Sequence, residues 1–126
     1  MNVLLTGGMG YLGGRIAVAL SREPNVMVRI GSRKEQPAPA WLPQDDTFAM
    51  DVLEPDRISA AVRDMQAVVH LAGMNNNECA ADPRKAVLVN TLGTLNVLQA
   101  AIDAGVERFI YFSTAGQNWW DGLFHV

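Results

Sequence analysis

The sequence predicts a doubly wound α/β domain on a parallel sheet of about five strands in the order 3-2-1-4-5. Three observations predict it. Short apolar and β-branched runs alternate with apolar stripes of helical spacing, as strands and covering helices do in parallel sheets. A glycine-rich turn stands where the first strand hands over to the first helix. Two further runs, AVVHL at 67–71 and RFIYF at 108–112, are apolar at nearly every position, which burial on both sheet faces demands. The right-handed crossover rule then restricts the strand order.

Taken in order, NVLLT at 2–6 is the first strand, ending in Gly7-Gly8. Leu12, Ile16, Ala19 and Leu20 follow on one helical face, and that helix stops before Pro24-Asn25. VMVRI at 26–30 is the second strand, ending in Gly31. The connection 31–46 holds Pro37, Pro39 and Pro43, too many prolines for a crossover helix, so an irregular surface loop leads into a short strand near Thr47 to Ala49. Pro55 opens a second helix with Ile58, Ala61, Val62 and Met65 on one stripe. The longest helix begins at Asp82-Pro83, a cap followed by a proline at the first helical position. It carries Leu88, Leu92, Leu95, Leu98 and Ile102 and stops at Gly105. Right-handed crossovers place the first helix on one face of the sheet and the other two on the opposite face. The first helix's face of strands four and five is therefore left without a helix from this chain.

Composition narrows the function. With 49% hydrophobic and 18% charged residues and a net charge of −3, the chain reads as one globular domain. Its basic residues lie singly or in pairs such as Arg33-Lys34 and Arg84-Lys85, which gives no footprint for nucleic acid or a lipid surface. Uninterrupted apolar runs fall far short of the roughly 20 residues of a membrane span, and the start MNVLLTGG has no basic leader, so a cytoplasmic location is expected. The single cysteine, Cys79, excludes an internal disulfide and any multi-cysteine metal site, and no metal is expected.

The turn Thr6-Gly7-Gly8-Met9-Gly10-Tyr11-Leu12-Gly13 carries the chemistry. Gly7 allows a tight turn, Gly10 a close approach of a pyrophosphate to the backbone, and Gly13 close packing of helix on strand. The phosphate then rests on the helix N-terminus. A strand before the turn and a helix after it supply the setting that a dinucleotide site requires.

These residues resemble the extended short-chain dehydrogenase/reductases, the NAD-dependent epimerase/dehydratase family, over residues 1 to about 115. TGGMGYLG is similar to that family's TGxxGxxG signature, and Asp51-Val52 to its adenine-side pair. HLAG at 70–73 resembles the segment ending its fourth strand, VNTLGTLNVLQAA at 89–101 its long helix with a structural asparagine at Asn90, and FIYFSTA at 109–115 its active-site strand. The resemblance implies a Rossmann-type fold, a cofactor of NADP or NAD, and nucleotide-activated sugars as the substrate class of a full-length parent. It implies cofactor contacts from Gly7, Gly10, Tyr11, Leu12, Gly13, Asp51, Val52, Leu71, Ala72, Gly73 and Asn90, with Asp51 bonded to the adenine amino group. Composition alone favours Asp51 as a solvated or capping residue before Pro55, a preference that the resemblance reverses.

Arg33 follows the second strand where an NAD-preferring protein carries an acid for the ribose 2′-hydroxyl, and no acid occupies 31–33. An arginine there suits a 2′-phosphate, which favours NADP; the other reading is a solvated loop charge. His70, in a buried strand, reads as a satisfied core histidine, and Cys79 as a small buried or loop residue.

For catalysis the resemblance implies a Ser or Thr at the end of strand five with Tyr and Lys one helical turn apart on the next helix. Thr114 fits the hydroxyl, with Ser113 beside it, yet the only tyrosines are Tyr11 and Tyr111 and the only lysines Lys34 and Lys85. No Tyr-x-x-x-Lys occurs. Lack of a general acid/base costs about 10²-fold to 10⁴-fold in rate, so this chain alone is expected to have no turnover. It reads as a cofactor-binding part (1–115) followed by an atypical tail (116–126) bearing Trp119, Trp120, Leu123 and Phe124. That apolar tail and the open edge of strand five favour a homo-oligomer. Two alternatives stay open: a non-catalytic NAD(P)-binding sensor module, and a fragment of the fold that binds nothing.

Overall fold

Five short strands lie parallel in one sheet in the order β3-β2-β1-β4-β5, the order that the sequence predicts. The computed structural model describes residues 1–34, 37, 40 and 46–113. In chain order these form β1 (Asn2–Thr6), α1 (Tyr11–Ser21), β2 (Met27–Ser32), β3 (Asp46–Ala49), α2 (Pro55–Val62), β4 (Ala67–His70), α3 (Asn76–Ala81), α4 (Pro83–Ala86), a π-helical segment (Val87–Gly93), α5 (Thr94–Asp103) and β5 (Arg108–Tyr111). Most of the proline-bearing connection and everything after Ser113, including Thr114 and the tryptophan tail, lie outside the described residues.

Side-chain alternation along the strands divides the core into two. Leu4 and its β4 partner Val68 point to one face, where they meet Ile58, Ala61 and Val62 of α2 and Val97, Ala100 and Ala101 of α5. Val3, Leu5, Ile30, Ala67 and Val69 point to the other and meet Ala17 of α1. The face assignment expected from right-handed crossovers therefore holds.

Three details differ from the periodicity reading. On α1 the buried residues are Gly13 and Ala17, with Ile16 and Leu20 packed beside them, whereas Leu12 is 45% exposed and Ala19 is also exposed. Gly13 is held against the glycine turn, and this contact rotates the apolar stripe. The long helix starts as expected, with the Asp82 side chain accepting from the Lys85 N–H and Pro83 at the first helical position. Its middle, however, is a π-helical segment, and its sheet-facing residues are Gly93, Val97, Ala100 and Ala101. Leu88, Leu92, Leu95 and Ile102 point outward, because the small residues let this helix lie close against α2 and Val52. Helix α3 was not expected at all. It is fixed by a capping box, Asn75 Oδ1 accepting from the Glu78 N–H and Glu78 Oε2 from the Asn75 N–H.

β4 is buried throughout, but β5 is not: Ile110 and Tyr111 are each about half exposed and only Phe109 packs into a core cluster. The expectation of burial on both faces is corrected for β5. It is the sheet's edge, and the face bearing Ile110 meets no helix among the described residues. One described helix, Pro83–Asp103, is long and apolar enough to cross a membrane by length and composition. In this fold its sheet-facing side packs into the core.

Candidate functional site

A cleft of about 690 Å³ opens beyond the C-terminal ends of β1, β2 and β4. The sheet grows outward from β1 in both directions, so this is the point where strand order reverses and where ligands of open α/β sheets bind. Its volume lies within the usual range of small-molecule sites.

One wall is the glycine turn. Gly7 adopts φ +69°, a conformation that L side chains rarely adopt, and its N–H donates to the Gly31 carbonyl at 3.2 Å. A Cβ at Gly7 would sit 2.9 Å from the Ala72 nitrogen, and one at Gly13 only 2.3 Å from the Gly7 carbonyl oxygen. Gly10 is different in kind. It caps α1 with no side chain to accept from the first-turn N–H groups, lines the cleft, and a Cβ there would meet only the Gly7 carbonyl oxygen, at 3.3 Å. No acid stands in the first turn of α1. The helix N-terminus thus offers backbone donors and a positive dipole end to an anion.

The floor and far wall come from β2, β3 and β4. Ser32, Arg33 and Lys34 leave β2, Met50, Asp51 and Val52 follow β3, Leu71 to Met74 follow β4, and Lys85 reaches in from α4. Among the described residues, three cations therefore face one carboxylate, a balance suited to a polyanionic ligand. Asp51 Oδ1 accepts from the Leu53 N–H at 2.9 Å, so this carboxylate shapes its own turn while it lines the cleft. Asn90, on the π-helical segment, does not line the cleft. Its Oδ1 accepts from the Met74 N–H at 2.7 Å and its Nδ2 donates to the Met74 carbonyl at 3.3 Å, which pins the end of the β4 exit.

Of the residues singled out from the sequence, the cleft brings together Gly7, Gly10, Arg33, Asp51, Val52, Leu71, Ala72 and Gly73. Tyr11, 84% exposed and beneath the Arg15 guanidinium, does not line it, nor do Leu12 and Gly13. Ser113 is exposed just past β5, and Thr114 lies outside the described residues. Sequence reasoning passed over Ser32, Lys34, Met50, Met74 and Lys85. Lys34 was legible by the same argument as Arg33, whereas Lys85 enters only because α4 folds back over the β4 exit.

Fold and cleft together define an α/β domain of the Rossmann type. Residues 3–117 match the NAD dependent epimerase/dehydratase family, and the chain belongs to that family. It is 34% identical over 121 residues to the UDP-N-acetylglucosamine 4,6-dehydratase (inverting) of Campylobacter jejuni, a match covering 90% of this chain and 36% of that protein. It is 31% identical over 121 residues to human 3 beta-hydroxysteroid dehydrogenase type 7, covering 88% of this chain and 32% of that one. Among solved structures it superposes on a UDP-glucose-4-epimerase from Stenotrophomonas maltophila, which was crystallised with bound NAD and formylated UDP-arabinopyranose. The TM-score is 0.79 at 26% identity, over 91% of this chain and 37% of that one. The chain spans about a third of the length of these relatives.

Proposed function

We propose that this chain is the nicotinamide-dinucleotide-binding part of an epimerase, dehydratase or reductase, with NADP favoured over NAD. The observation that carries the reading is the uncapped N-terminus of α1, opening at Gly10 onto a cleft with Arg33, Lys34 and Lys85 on its walls. The pyrophosphate would rest on the α1 N-terminus, the adenine beside Asp51 and Val52, and a 2′-phosphate beside Arg33. A bound nicotinamide supplies hydride exchange with a substrate carbon. This chain's residues bind and orient the dinucleotide, and Ser113 or Thr114 would offer a hydroxyl near the reacting end.

The nucleotide-sugar reading is supported by the dehydratase and epimerase relatives; the hydroxysteroid dehydrogenase widens the class to alcohols on other ring systems. Substrate choice belongs to a full-length parent. Without a Tyr-x-x-x-Lys pair this chain has no group to exchange the alcohol proton, so it binds but does not turn over. Self-association is part of the same proposal, supported by the β5 edge, which is open among the described residues, and so is a cytoplasmic location, supported by the lone free Cys79.

Parallel calorimetric titrations with NADP⁺ and NAD⁺ test the binding. Tighter binding of NADP⁺ is expected, with the difference lost in Arg33→Ala, a change of about tenfold for one charge-assisted contact. Gly10→Asp, which puts a carboxylate at the anion site, should abolish both. If neither dinucleotide binds the unaltered chain, the non-binding fragment is the correct reading.

A further inference from the structure

We infer that His70 is a positioning residue of the dinucleotide cleft: as a neutral imidazole protonated on Nε2, it ties the glycine turn, the β4 exit and the long helix into one unit. The inference rests on the dinucleotide reading for its consequence, but its geometry stands alone. His70 is fully buried, with Nδ1 2.7 Å from Thr6 Oγ1 and Nε2 3.0 Å from Thr94 Oγ1. Its ring stacks on Tyr111 at 5.8 Å.

The hydrogen-bond inventory fixes where the protons lie. Thr94 Oγ1 is 2.7 Å from the Asn90 carbonyl oxygen, which only accepts, so the single Thr94 hydroxyl proton is committed there. Towards His70, Thr94 can therefore only accept, and Nε2 must carry the hydrogen. At the other side Thr6 Oγ1 already accepts from the Leu71 and Ala72 N–H groups, each at 3.2 Å. Its own proton is left to donate to Nδ1, which in this tautomer is a bare acceptor. The chain of donation then runs one way, from the Leu71 and Ala72 amides through Thr6, His70 and Thr94 to the Asn90 carbonyl. Every member is satisfied, and reversing the tautomer would leave Nε2 and Thr94 Oγ1 facing each other as two acceptors.

The two ends of this relay hold the two ends of one cleft wall. Thr6, the last residue of β1 before Gly7, fixes Leu71 and Ala72, and Asn90 fixes Met74 through both atoms of its amide. His70 touches no ligand position itself and acts through the two threonines. Polar networks of this kind specify position when complete and cost most when half broken.

Long-range ¹⁵N–¹H correlation on the unliganded 126-residue chain should show a protonated Nε2 and an unprotonated Nδ1 for His70. Thr94→Val keeps the side chain's shape and removes the acceptor; it should lower NADP⁺ affinity about tenfold and weaken hydrogen-exchange protection at Leu71 and Ala72, while the circular dichroism spectrum stays that of the folded chain. His70→Asn, which can restore an acceptor towards Thr6, should retain more of that protection than His70→Leu. A protonated Nδ1, or Thr94→Val with unaltered amide protection, would overturn the inference. If the unaltered chain binds neither NADP⁺ nor NAD⁺ the dinucleotide reading fails, and the tautomer and the protection pattern still decide the relay.

Discussion

β4 and β5 are adjacent, parallel, four residues each and paired in register from Ala67 with Arg108 to His70 with Tyr111, yet one is sealed and the other half open. The difference lies in the neighbours. β4 has β1 and β5 on its two sides and a core cluster on each face. β5 has one strand beside it and, among the described residues, joins a core cluster only through Phe109, with Tyr111 stacked on His70. Apolar composition therefore identifies a strand of the sheet without reporting how deep it lies. Depth is set by elements far away in sequence.

The largest effect expected from this contrast is electrostatic. Burial in β4 pushes the His70 pKa down from 6.5 to about 4, and its ring meets two threonine hydroxyls and two aromatic rings. Between those values the unfolded chain binds a proton that the folded chain refuses. Stability is full above pH 6.5 and falls as the pH drops towards 4, by about 3 kcal/mol over the window. Urea unfolding of the wild type and of His70→Asn at pH 7 and at pH 4.5 separates this from carboxylate titration. An equal loss in both proteins would remove His70 as the cause.

Packing sharpens the same contrast on a smaller scale. Val68 is fully buried, and Val68→Ala removes two methyl groups from a sealed cluster, a loss of about 2 kcal/mol. Ile110, paired with Val69 in the adjacent β5 and 48% exposed, should lose well under half of that on change to alanine, about 0.5 kcal/mol. Comparable losses at both sites in denaturant midpoints would mean that β5 is covered in solution.

What was legible in the residues follows the same division. Signals that act within a few residues could be read: the strand–glycine–helix turn, the Asp82-Pro83 start, the Gly105 stop at φ +71°, and with the crossover rule the strand order itself. Asn75-x-x-Glu78, the capping box of α3, is an equally local signal. Signals that depend on which small residues meet could not be read. Gly93 faces Val52 so closely that a Cβ would lie 2.5 Å from its Cγ2, and nothing in the heptad-like row of leucines announces that the glycine and alanines, not the leucines, form the contact face. The site divides likewise: Gly7, Gly10 and Arg33 came from local pattern, while Lys85 and Met74 needed the fold.

The local start signal makes a moderate prediction. Asp82 is the sole side-chain cap of the long helix and accepts from the Lys85 N–H at 3.0 Å, so Asp82→Ala should cost about 1 kcal/mol. Because Lys85 lines the cleft, the same change should also loosen NADP⁺ binding slightly, whereas a comparable loss from Val68→Ala should not. Matching effects of the two variants on affinity would show that the helix start does not position Lys85.

The smallest expected effect is the most informative about the outer face of that helix. Leu95 is 57% exposed beside the fully buried Val97, two positions that hydrophobicity alone ranks the other way. If the face is open, Leu95→Gln gives up little burial, and unfolding free energy at low protein concentration should stay within about 0.5 kcal/mol of wild type. A loss of about 2 kcal/mol that grows with protein concentration would instead identify a second copy over the leucine row. A loss of that size independent of concentration would mean that this chain itself covers the row. The exposed stripe is thus a question about what packs there, and the sign and concentration dependence of one conservative substitution answer it.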